Sequence, residues 1–147
     1  MLRVFSLALC AAVVGAGVSF ALPGAARAVD FGALAEVDVP ELVTHDADGS
    51  ERVTKLWLVV VDGEGFVRTG ETRWAENIAR DPEVELHAIG EAHLLRAAAV
   101  ADVPLRERVN AAFRAKYGWQ DRLLHLFGGD DDAKIFRLEP RVAAASR

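Results

Sequence analysis

Arg52, Lys55, Arg68 and Arg73 fall within 22 residues of a chain whose formal net charge is −5, with Thr69 and Thr72 among them. Guanidinium and ammonium groups beside hydroxyls are the side chains that hold an oxyanion. The cation supplies charge and several donors, and the hydroxyl adds a neutral hydrogen bond. Glu64, Glu71 and Glu76 interleave with the cations, so the same residues also suit a solvated surface laced with ion pairs. Residue types alone leave both readings open.

The other reactive side chains say less. His87 and His93 stand six apart around Gly90, a spacing that admits a metal or haem ligand pair. No Cys or third His lies nearby to complete a set, and no metal site is expected. Asp130, Asp131 and Asp132 lack the spacing of a calcium-binding EF-hand and read as a solvated loop. Tyr117 and Trp119 could stack on a ligand ring, although aromatic residues beside a helix end usually pack inward. His45 and His125 carry no argument. There is no nucleophile–base pair, paired-carboxylate signature or Gly-rich nucleotide loop. Any catalysis would therefore belong to a bound cofactor that the protein holds and tunes.

Period and punctuation supply the framework that carries these residues. Phe31 to Pro40 is a lead-in with no assigned structure. Glu41–His45 reads as a short strand, and "DADGS" at 46–50 as a turn. Thr54 to Val61 is apolar nearly throughout, which predicts one strand buried on both faces. "DGEG" at 62–65 then turns the chain back into a strand at 66–69. From Thr72 the period becomes helical over 73–81, with Thr72 able to cap the first turn and Asp81-Pro82 ending it. Strands at 83–89 and 94–101 follow, with Gly90 as a bend between them. A helix at 105–117 is the clearest of all, a second is expected at 120–127, and a last strand at 134–138 is stopped by Pro140. Five or six strands with inserted helices suit a small antiparallel α+β barrel.

The first 28 residues read as a secretory signal: Arg3, an uncharged apolar run from Val4 to Leu22, a Pro-Gly break, and Ala26-Arg27-Ala28 for the peptidase. Cleavage there predicts an exported chain of 119 residues, enough for one domain, delivered to the periplasm or beyond with no membrane anchor. It takes the only cysteine, Cys10, and two arginines but no acid. That leaves 15 basic and 22 acidic residues, a net of −7. Disulfides are excluded from such a chain, and a nucleic-acid partner is disfavoured.

Taken in order, "RVTKLWLVVVDGEGFVRT", "ENIARDPEVEL", "FRAKYG" and "KIFRLEPR" resemble the flavin-binding split-barrel superfamily, the pyridoxamine 5'-phosphate oxidase-like fold, over about residues 41–142. The resemblance implies a homodimer with a flavin mononucleotide (FMN) in each groove between subunits, and redox activity through that flavin. It also implies that cations and hydroxyls of the second hairpin strand and the next helix start hold the cofactor phosphate. On this chain those are Arg68, Thr69, Thr72 and Arg73, with Arg52 and Lys55 entering from the neighbouring strand. Thr72 and Arg73 fall at the family's hydroxyl–cation pair. Trp74 departs from the pattern, standing where a second basic residue is common. That departure and the export of an unfolded chain leave room for a deazaflavin instead. They also leave room for a cofactor-free or small-ligand-binding module that kept only the barrel.

Overall fold

The computed structural model describes residues 29–118, 120 and 133–141. The signal segment, Trp119, His125, Asp130–Asp132 and the helix expected at 120–127 beyond its first residue lie outside the described residues. In chain order the elements are α1 (Phe31–Leu34), β1 (Glu41–His45), β2 (Glu51–Lys55), β3 (Leu58–Val61), β4 (Glu64–Thr69), α2 (Arg73–Arg80), β5 (Glu83–Ala88), β6 (Glu91–Ala99), α3 (Val103–Tyr117) and β7 (Lys134–Pro140). The described strands form one antiparallel sheet in the order β2-β1-β5-β6-β7-β4-β3.

The fold is the expected α+β split barrel, with seven strands where about six were predicted. The extra strand comes from the run at 54–61, which does not form one strand. Its first part joins β2, paired with β1 as Thr54↔Leu42 and Lys55↔Glu41. Its last part is β3, paired with β4 as Leu58↔Val67. Leu56 and Trp57 lie between, with the Leu56 amide bonded to the Pro40 carbonyl at 3.1 Å. The two edge strands of the sheet are thus consecutive in the chain, and a two-residue link spans at most about 11 Å. The sheet must curl until its edges approach, and the bend is the split.

Alternating residues sort into two apolar clusters. Leu42, Leu58, Val67, Val84, Leu86, Leu95, Phe136 and Leu138 face the barrel interior, joined by Trp74, Ala75 and Ile78 of α2 and by Phe31 and Leu34 of α1. Val59, Phe66 and Ile135 face outward under Val109, Phe113 and Tyr117 of α3. The outer face of β2 has no such cover, so Val53 and Lys55 are exposed. The expectation of a strand buried on both sides therefore holds for β3 and not for β2. An apolar run cannot reveal that only half its length lies beneath a helix.

Local chemistry explains the other boundaries. Asp102 caps α3 by accepting from the Leu105 amide at 2.9 Å, which starts the helix at Val103, two residues before the predicted start. Ile89 and Gly90 have φ of 54° and 71°, so they form the tight turn of a hairpin. That turn lets β6 begin at Glu91 instead of Leu94. The lead-in folds too, as α1, with Asp30 accepting from the Ala33 amide at 3.3 Å.

Candidate functional site

β4 ends at Thr69 and α2 begins four residues later. Thr72 occupies the cap position of α2 in an extended conformation, yet its hydroxyl makes no cap bond. It turns instead to the Thr69 hydroxyl, 3.1 Å away. Among the described residues the first-turn N–H groups of α2 therefore have no side-chain acceptor, the arrangement that makes a helix start receptive to an anion. Across the sheet, Thr69 is paired with Lys134, the first residue of β7. The Lys134 ammonium lies 3.0 Å from the Glu71 carboxylate in the short link before α2.

The structure spreads the other predicted residues around this point. Arg73 is exposed, makes no hydrogen bond or ion pair with a described residue, and lies close enough to Asp46 to help hold that acid ionised. Arg52 grips Asp46 with two bonds, Nε to Oδ1 at 3.0 Å and Nη2 to Oδ2 at 2.8 Å. Asn77 of α2, fully buried, donates to Asp46 at 2.8 Å and to the Thr44 hydroxyl at 3.1 Å. The Asp46 carboxyl consequently titrates at about 2. Its hydrogen bond from Arg52 is the main cause and the Asn77 bond the next. This network anchors the middle of α2 to β1 and the β1–β2 turn.

Arg68 points outward beneath α3, 4.5 Å from the Phe113 ring centre, and donates to Asn110 at 2.9 Å. Trp74 is a core residue, 6 % exposed, tilted against Phe136 at 6.0 Å. Its position where the family often carries a cation is explained by the barrel interior it fills. Lys55 is exposed and lines a cleft of about 530 Å³ with Glu41, His87, Ile89 and Glu91. Tyr117 packs in the outer cluster, stacked on Trp57 at 4.3 Å. His93 is paired with Leu86 and shares its face, whereas His87 takes the opposite face, so the two imidazoles cannot ligate one ion. Among the described residues no three His, Cys, Asp or Glu side chains converge as a metal site.

The structure thus brings together the Thr69 and Thr72 hydroxyls; Arg73 follows Thr72 as the first residue of α2, on the side of Asp46, which Arg52 engages. It also sets Lys134, which sequence reasoning did not single out, opposite Thr69. Lys134 lies far from Thr69 in the chain and meets it only through the register of β4 against β7. Its one sequence signal is that a lysine opens the last predicted strand. A hydroxyl pair at an uncapped helix start, with a cation opening that helix and another paired to Thr69 across the sheet, offers the kinds of group that hold an oxyanion.

Residues 30–135 match the family model described as "Uncharacterized protein conserved in bacteria (DUF2255)". No protein of curated function matches the chain in sequence. Among solved structures it is similar to HutZ, the haem storage protein from Vibrio cholerae, with 24% identity, a TM-score of 0.59 and coverage of 74% of this chain and 84% of that one. It is also similar to an FAD-binding protein from Mesorhizobium loti, with 15% identity, a TM-score of 0.57 and coverage of 77% and 88%. A third similar structure is a candidate pyridoxamine 5'-phosphate oxidase from Listeria innocua, with 16% identity, a TM-score of 0.55 and coverage of 76% and 90%. At these identities the likeness is one of fold, the split barrel of flavin- and haem-binding-type proteins.

Proposed function

The chain belongs to the DUF2255 family, and we propose from the geometry of its own site that it is an exported split-barrel protein that binds FMN through the phosphate. The observation that carries this reading is the Thr69–Thr72 hydroxyl pair, which leaves the first-turn amides of α2 without a side-chain cap. Thr69, Thr72 and Arg73 would hold the phosphate, with Arg52 contributing long-range charge. Bound flavin would supply electron or hydride transfer, and the chain's own part would be to seat and orient it. A deazaflavin carrying a phosphate would use the same contacts.

A second reading is a small-ligand-binding module without redox activity. Arg52 is already gripped by Asp46, Arg68 by Asn110 and Phe113, and Trp74 is core. Export of an unfolded chain would also require the flavin to be acquired after secretion.

Titration of the purified chain with FMN and riboflavin separates the two. FMN is expected to bind more tightly than riboflavin. Arg73→Ala should weaken FMN about ten- to a hundredfold, the loss of one charge-assisted hydrogen bond, and leave riboflavin unchanged. Equal binding of the two flavins, or none, favours the second reading.

A further inference from the structure

We infer that Lys134 is a further ligand for the anionic end of the cofactor, and that Glu71 is an internal anion holding its place. This rests on the phosphate reading above. Lys134 reaches the site from β7, opposite Thr69 in the β4–β7 pair. Directly paired residues on one face have Cβ atoms about 4.5–5.5 Å apart. Any oxyanion bonded to the Thr69 hydroxyl therefore lies within reach of the long lysine side chain. A carboxylate already sits on that ammonium: Glu71 Oε2 is 3.0 Å from Lys134 Nζ.

Glu71 is suited to leave. Its side chain is 78 % exposed, and it lies in the link between β4 and α2, where neither a strand ladder nor a helix bond holds it. An exposed ion pair of this kind is weak. A phosphate carries more charge and more acceptor oxygens, so it would displace the carboxylate and take over the lysine. Glu71 then sets a threshold: neutral ligands leave the pair intact, and phosphorylated ones break it.

The test is titration of the purified chain and its variants with FMN and riboflavin, alongside a melting curve for each. Lys134→Gln should weaken FMN about tenfold or more while riboflavin and the melting temperature stay close to wild type, and Lys134→Arg should restore most of the loss. Glu71→Gln should tighten FMN about two- to fivefold, the worth of removing an exposed competitor. If wild type prefers FMN and Lys134→Gln does not change that preference, the inference is overturned and the phosphate reading survives. Weaker FMN binding by Glu71→Gln would also overturn it, because Glu71 would then be a positioning group. If wild type binds FMN no better than riboflavin, the phosphate reading itself fails.

Discussion

Asp46 controls how this end of the barrel responds to acid. Arg52 first, and Asn77 second, hold its carboxyl at about 2 against an ordinary value of 3.8. A carboxyl whose pKa is depressed by folding contributes stability that is present above its unfolded value. That contribution is lost as the pH falls through the folded value. Urea midpoints should therefore drop between about pH 4 and pH 2, and Asp46→Asn should flatten the drop in that window while lowering stability at neutral pH. At the C-terminal end of α3, the Tyr117 hydroxyl accepts from the Leu58 amide at 3.0 Å and donates to the Asp38 carbonyl at 2.6 Å. Burial raises its pKa. Tyr117→Phe leaves the Leu58 amide without that acceptor and should destabilise by about 1–3 kcal/mol, read as a shift in denaturant midpoint.

Two elements are held by contacts that can be tested in pairs. α1 is only four residues long and is held on the barrel by Phe31 and Leu34; the Phe31 ring fills the space where a side chain on Gly65 would project. Gly65→Ala should therefore destabilise the domain by about 1–3 kcal/mol, the range for overpacking. Combined with Phe31→Ala, the two effects should fall short of their sum, because the second substitution removes the obstacle to the first. Lys116 and Tyr117 secure the rest of the lead-in from α3, with the ammonium 2.6 Å from the Val37 carbonyl and 2.8 Å from that of Leu58.

Across the sheet as a whole, the outer face of β2, β1, β5 and β6 differs from that of β3, β4 and β7. The latter lies under α3, whereas Val53 is 56 % exposed and Leu94 is 51 % exposed. These two residues share one face through the pairings Val53↔Val43, Val43↔Glu85 and Glu85↔Leu94. We propose this uncovered face as the contact of a homodimer. Sedimentation should report a dimer for the wild type and a monomer for Leu94→Glu combined with Val53→Lys. Export is testable on the intact chain too: the secreted form should begin at Val29, as read by N-terminal sequencing. Cleavage beyond Phe31 or Leu34 would remove side chains that the barrel core uses.

Period, caps and turn residues are local in the chain, and they were enough for the class of fold, most of the strands, α2 and α3; of the residues at 68–73, Thr69 and Thr72 meet, whereas Arg68 turns away beneath α3. The bend at Leu56-Trp57 was not legible in this way, since an apolar run looks the same whether it keeps one partner strand or exchanges β1 for β4. For Trp74 the helical period, which puts it on one face with Ile78, pointed to the interior that it fills, and the match to the family's phosphate positions pointed to a ligand. Asp46 and Lys134 were hidden for the same reason as the bend: each meets its partners through strand register or across a turn, and register is fixed by which faces the folded barrel buries.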